Sequence, residues 1–421
     1  MGESINKSYE IAKEKYANYG VDTDKVIAKL KKVPFAVHGW QADDFGGFEK
    51  PEAELAGGGL LSTGNFPGAA RNLEEYRKDI EKVFSLIPGK KRFNFHTING
   101  DFGGKFYDRD EILPEHFKSW VGWAKKNDVG LDINSTFISH KLADDGYTLS
   151  HADKKIRDFW IDHGKRTREI GNYIGSELDN TCIHNIWIPD GSKDLPVSKF
   201  KHRKILEEAL DEMFETQYPE KNLLDAMESK LFGVALESYT VGSHEFYLSY
   251  CVKNKKLITF DTGHFHAEEY VSDKISAVIN FVPGIVFHLS RGVRWDSDHI
   301  TLFSDEMVSI MQEIVRAGVL DKTYIGTEFF DASVNRIGAY AIGLRAAQKA
   351  LLFALLEPHK VLLEYEDNKQ FFARLGMMEN LKSMPHGDVW NYYCTVEGVP
   401  DDDEWIDEVF KYEKDVILKR K

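Results

Sequence analysis

Eight short runs rich in apolar and β-branched residues recur along this chain, and longer amphipathic segments lie between them. That rhythm limits the possible folds more than any other property of the sequence. Strands that alternate with helices imply parallel pairing through helical crossovers. The runs cover 33–40, 91–98, 130–137, 182–189, 231–238, 257–264, 284–291 and 324–331. Segments 73–87, 114–127, 151–175 and 201–217 carry apolar residues at helical spacing. Pro114 suits a helix start, and Ser150 is the expected N-cap of the third segment. Eight strands are also the number that closes a (β/α)8 TIM barrel. An open doubly wound sheet has the same content, so the pattern alone leaves closure undecided.

A length of 421 residues suits two or three domains, or one barrel with extensions. No Pro/Ser linker or low-complexity tract divides the chain. It therefore reads as one α/β domain, 1–421, with a barrel core at about 33–357. Helical extensions are expected over 1–32 and 358–421. The balance of 54 Lys and Arg against 68 Asp and Glu, a net −14, argues against a nucleic-acid partner. Cys182, Cys251 and Cys394 are far apart and odd in number, which fits buried thiols in a reduced, cytoplasmic protein. The first twenty residues have no apolar h-region. The most apolar helical stretch, 338–356, contains Arg345, Gln348 and Lys349, so no membrane association is expected. Segment 41–72 is longer than ordinary connectors and reads as a connector or binding loop. Its Gly57-Gly58-Gly59 run lacks the Lys-Ser/Thr that completes a phosphate loop.

Barrels carry their chemistry at the C-terminal ends of the strands. There the sequence places metal-capable residues. The fifth run ends at Glu237, the sixth holds Asp261 and ends at His264, the seventh holds His288, and the eighth ends with Glu328 and Asp331. Asp296 and Asp298 follow the seventh run at i, i+2, which puts both side chains on one side of an extended segment. Such a concentration of carboxylates in one cavity needs a cation to be tolerable. His and carboxylate donors suit Mn2+, Zn2+, Co2+ or Mg2+, and there are enough of them for two ions. A single Asp or His near a strand end is more often a turn former. DTGHFH and WDSDH on neighbouring strands reverse that balance. His266, expected to begin the next helix, and His299 fit surface or supporting roles as well as ligation.

The runs NIWIPDGSKD (185–194), ESYTVGSHEFY (237–247), FDTGHFH (260–266), HLSRGVRWDSDH (288–299) and FFDASVNRIGAY (329–340) resemble the bacterial L-rhamnose isomerases. The resemblance implies a barrel with helical extensions, a homotetramer, a small-molecule sugar substrate and two divalent ions per subunit, Mn2+ favoured. It implies that Glu237, Asp261, His288 and Glu328 hold a structural metal. His264, Asp296 and Asp298 would hold a catalytic one. Glu328 stands where the family has Asp, so Asp331 is the fallback ligand. Some relatives carry Lys two residues after the strand-five Glu. Here that position, counted from Glu237, is Tyr239, so no catalytic lysine is assigned.

The implied reaction interconverts L-rhamnose and L-rhamnulose by a metal-assisted hydride shift between C2 and C1, with an activated water taking the O2 proton. An enediol route would need a positioned base instead. His96 resembles the family's ring-opening acid/base, and a core histidine is the competing reading. Trp187 is placed to pack on the sugar or in the core. Phe66 resembles a loop aromatic that reaches a neighbouring subunit's site. Three alternatives remain: a barrel isomerase for another sugar such as allose or psicose, a metal-dependent hydrolase, or a non-catalytic sugar-binding protein.

Overall fold

The computed structural model describes residues 2–39, 66–230, 238–266, 268–292, 299–331 and 333–420. Eight parallel strands close into a barrel: β1 Phe35–His38, β2 Lys91–His96, β3 Gly130–Asn134, β4 Cys182–Trp187, β5 Leu223–Glu228, β6 Leu257–Asp261, β7 Ile285–Leu289 and β8 Thr323–Thr327. Each strand pairs with its sequence neighbours, and β1 pairs with both β2 and β8. Closure, left open by the pattern, is thereby decided.

Seven of the eight expected strands form where the runs lie. The fifth is a correction. The fifth barrel strand is Leu223–Glu228, ahead of the run at 231–238. Residues 231–237, including Glu237, lie outside the described residues. Tyr239–Thr240 instead forms a short antiparallel ribbon with Gly191–Ser192.

Side-chain alternation along each strand sorts two environments. On β2, Phe93 and Phe95 face outward into an aromatic stack with Trp120 of α4 (Lys118–Asn127), at centroid distances of 5.4 and 5.1 Å. Arg92 and Asn94 line the barrel interior. Toward the N-terminal ends of the strands the interior is filled by Ile183, Ala226, Leu257 and Val286. Arg92 and Asp132 form a two-pronged ion pair there, at 2.6 and 2.8 Å. Such a pair is tolerable in the interior because its hydrogen-bonding capacity is used. Arg92 also donates to the Thr181 carbonyl at 2.6 Å.

The outer ring comprises α3 (Leu73–Phe84), α4, α5 (Lys154–Leu178), α6 (Lys199–Met213), α7 (His244–Asn254), α8 (Ser272–Val278), α9 (Asp305–Arg316) and α10 (Arg336–Leu355). Asn72, Ser243, Ser304 and Asn335 cap α3, α7, α9 and α10. The cap of α5 is Asp153 rather than Ser150, and Ser150 instead binds the Asp190 carboxylate.

Outside the ring, α1 (Gly2–Ala17) and α2 (Thr23–Leu30) precede the barrel, and α11 (His359–Asp367), α12 (Phe371–Leu381), α13 (His386–Glu397) and α14 (Glu404–Asp415) follow it. Tyr9 of α1 stacks on Tyr392 of α13 at 3.7 Å, joining the two extensions. Cys182, Cys251 and Cys394 are buried free thiols. Among the described residues no single helix is long and apolar enough to cross a membrane.

Helix α5 seats β5. A Cβ on Gly175 would stand 1.9 Å from the carbonyl oxygen of Asn222, the residue before the strand. Gly175→Ala must therefore push the helix off the entry to β5, an overpacking that costs about 1–3 kcal/mol. The expected result is a lower thermal unfolding midpoint. An unchanged midpoint would show slack at this contact.

Candidate metal centre

Four consecutive strands deliver four buried donors to one end of the barrel. Glu228 ends β5, Asp261 ends β6, His288 lies one residue from the end of β7, and Glu328 directly follows β8. One ligand atom from each lies within 4.8 Å of all the others. His288 Nδ1 faces the carboxylates, 3.3 Å from Glu228 Oε2 and paired with Glu328.

Neighbouring groups hold Asp261, Glu228 and the adjacent His264 in place. Asp261 Oδ1 accepts from the Gly263 amide at 2.7 Å and from the Ser290 hydroxyl at 3.3 Å. Glu228 accepts from Asn185 Nδ2, and Asn185 Oδ1 in turn accepts from the Thr259 hydroxyl at 2.7 Å. His264 Nδ1 donates to the Ser229 carbonyl at 3.0 Å, which leaves its Nε2 beside Asp261, at 3.6 Å from Oδ2. Burial alone would push the Glu228 carboxyl up, but His288 and His264 hold it well below the usual range. Burial likewise opposes charge on His288, yet Glu328 and Glu228 raise it well above an ordinary histidine.

This donor set, three carboxylates and one imidazole, fits a divalent cation. Three negative charges in a buried pocket are costly to one another, and oxygen with imidazole nitrogen is a donor combination that divalent metals accept. The two strand-eight carboxylates are placed differently. Glu328 joins the cluster, whereas the Asp331 carboxylate turns away to cap the Ser333 amide at 2.9 Å.

The other expected residues fall in several places. Glu237, Asp296 and Asp298 lie outside the described residues. His96 is buried at the end of β2, with Nδ1 3.0 Å from the Thr136 hydroxyl. Burial, with Arg109 beside it, lowers its pKa well below that of a free histidine. Trp187 is half-buried at the end of β4, and the Lys230 ammonium sits 5.0 Å over its ring. Phe66 is half-buried against the chain's own core, and its carbonyl accepts from Arg336 at 2.7 Å. His266 is exposed in the loop before α8 and begins no helix, and His299 forms a backbone bridge with Arg291.

Three residues escaped the sequence reading. Glu228 was missed with its strand. Lys230 goes with it, because the Glu-x-Lys spacing holds from Glu228 and not from Glu237. Counted from Glu228, the lysine is present, and it is buried. The absence of a lysine inferred from Tyr239 is therefore corrected. The third is His38, at the end of β1, whose Nε2 lies 3.2 Å from His288 Nε2.

Fold and donors together define a closed α/β barrel with a buried carboxylate–imidazole centre at the C-terminal ends of its strands. A family model for L-rhamnose isomerase matches residues 3–420. The L-rhamnose isomerase of Listeria monocytogenes serovar 1/2a is 50% identical over 422 residues, covering 100% of both chains. That of Bacteroides thetaiotaomicron is 49% identical over 418 residues, covering 99% of each. A solved structure of L-ribulose 3-epimerase aligns with a TM-score of 0.47 and 10% identity, covering 76% of this chain and 95% of that one. The chain belongs to the L-rhamnose isomerase family.

Glu228 ends the observed fifth strand and stands in the donor cluster, whereas Glu237 lies outside the described residues. Glu228→Gln is expected to weaken divalent-cation binding about 10-fold, since a charged carboxylate ligand becomes a neutral amide oxygen. Glu237→Gln is expected to bind nearly as the parent does. Calorimetric titration of chelator-stripped protein checks both, and the reverse ranking would restore Glu237 as the ligand.

Proposed function

We propose that this protein is an aldose–ketose isomerase that interconverts L-rhamnose and L-rhamnulose, with Glu228, Asp261, His288 and Glu328 holding a divalent cation. The observation that carries the site assignment is the convergence of those four buried donors, from adjacent strands, in a chain of this family. His264, with Asp296 and Asp298, is assigned to a second ion by the resemblance and by the position of its Nε2 beside Asp261. Mn2+ is the proposed metal at both sites. A bound divalent ion supplies Lewis acidity toward sugar oxygens and fixes an open chain for hydrogen transfer between C2 and C1.

The protein's own groups have distinct tasks. His96 is neutral in its buried position and is assigned the O1 hydroxyl proton during ring opening. The Lys230 ammonium, held over the Trp187 ring, is assigned as a donor for a sugar oxygen, and Trp187 is assigned to the apolar C–H side of the sugar. A homotetramer working in the cytoplasm completes the proposal. Exposed Phe371, Phe372 and Leu375 on α12 are apolar surface for a subunit contact, and Phe372 is 90% exposed. In that assembly Phe66 is assigned to a neighbouring subunit's site.

The direct test strips metal with chelator, restores Mn2+ and measures L-rhamnulose formed from L-rhamnose. Ketose that appears only with metal is expected, and its absence overturns the reading. Asp296→Asn is expected to abolish turnover while leaving the unfolding midpoint unchanged. Near-normal activity in that variant would remove Asp296 from the site. C2-deuterated substrate is expected to keep its label in the product, and loss of label to water would favour the enediol route.

A further inference from the structure

His38 closes β1 and is held with unusual completeness. The Gly39 amide donates to the Asn94 carbonyl at 2.8 Å. The Gly39 carbonyl accepts from Tyr340 Oη at 2.9 Å and also from Tyr76 Oη. These bonds pin the end of the strand. Across the barrel wall, a Cβ on Gly326 of β8 would come within 3.1 Å of His38 Cε1, so the bare glycine leaves room for the imidazole.

The hydrogen bonds of the ring settle where its proton lies. Nδ1 is 2.6 Å from the Thr327 carbonyl oxygen. A carbonyl only accepts, so Nδ1 carries the hydrogen. Asn94 Oδ1 accepts from Asn134 Nδ2, which turns Asn94 Nδ2 toward His38 Nε2 at 3.1 Å. An amide NH2 only donates, so His38 Nε2 is a bare acceptor. His288 Nε2 lies 3.2 Å from that same nitrogen, with the two rings crossing at 75°. The contact is attractive when His288 Nε2 bears the hydrogen and points it at His38. With a cation held among Glu228, Asp261 and Glu328, a neutral His288 would turn its Nδ1 lone pair to that ion; without one, the carboxylates favour a proton on the same nitrogen.

We propose that His38 is a positioning residue for the metal centre: backed by Thr327 and Asn94, it sets the tautomer and ring orientation of His288 so that Nδ1 is the ligating nitrogen. The proposal rests on the metal-isomerase reading given above. His38 also stands with His288 and Glu328 in a second group of donors whose ligand atoms lie within 4.8 Å of one another; in this proposal its Nε2, shared with Asn94, serves His288 instead of an ion. Partners that orient a ligating imidazole in this way carry part of the metal affinity.

The test titrates Mn2+ into chelator-stripped, full-length wild type, His38→Phe and His38→Gln by calorimetry, and records the unfolding midpoint of each metal-free protein. Phe keeps the ring but removes the acceptor, whereas Gln puts an oxygen near the place of Nε2. His38→Phe is expected to weaken one Mn2+ site by about 10–100-fold. His38→Gln should recover most of that loss, with both metal-free midpoints close to wild type. Gly326→Ala, which crowds the ring and leaves its partners in place, should weaken the same site less. Mn2+ binding in His38→Phe as tight as in wild type overturns the proposal. So does equal impairment in His38→Gln, or a loss matched by a fall in the metal-free midpoint. Wild type that takes up no Mn2+ overturns the metal reading itself, and the His38 proposal with it.

Discussion

Three carboxylates and an imidazole share a pocket at one end of the barrel, with a ligand atom from each within 4.8 Å of the rest. Charges that close, away from bulk water, are repulsive on the scale of folding free energies. The fold tolerates them because the donors lie on, or directly follow, four different strands whose backbones are already fixed by two neighbours. Their hydrogen-bond partners are also buried: Asn185 for Glu228, Ser290 for Asp261, His38 for His288. Strand pairing thus fixes the backbone beneath the cluster.

The opposite end of the same interior is treated differently. There a carboxylate meets a guanidinium, Asp132 with Arg92, and an apolar layer packs beside them. Charge at that end is neutralised within the protein. At the C-terminal ends it is left for a cation to balance, although side chains at both ends sit on the same inward-facing positions of the strands. This polarity follows barrel logic: loops leaving the C-terminal strand ends are free to vary, so chemistry gathers there while the other end serves stability.

Period-two alternation and the spacing of apolar runs were enough to place seven strands and, with them, Asp261, His264, His288 and Glu328. The fifth strand shows why the rest was hidden. LFGVALES has more β-branched and aromatic character than LLDAME, so propensity alone prefers the wrong segment. The true strand also carries Asp225, a buried carboxylate facing outward, where an apolar residue would be expected. Arg168 at 3.1 Å, His184 at 3.0 Å and Lys256 at 2.8 Å stabilise it. Those partners come from α5, from β4 and from the turn before β6, so no local window contains the reason this residue is allowed there. The lysine depends on the same frame: Lys230 stands two residues after Glu228, and Tyr239 two residues after Glu237.

His38 illustrates a different limit. Within its own run, VPFAVHGW, it is one histidine among apolar residues, and a core role is the ordinary reading of such a residue. What gives it meaning is closure. β1 is flanked by β2, which supplies Asn94, and by β8, which supplies Thr327 and the bare position at Gly326. An open sheet would have left β1 without one of those neighbours, and His38 would then lack either its donor at Nε2 or its acceptor at Nδ1. Because the barrel joins its first strand to its last, an imidazole from β1 can reach His288 on β7 with its tautomer already chosen. The pairing that closes the fold is therefore also the pairing that prepares a ligand of the centre.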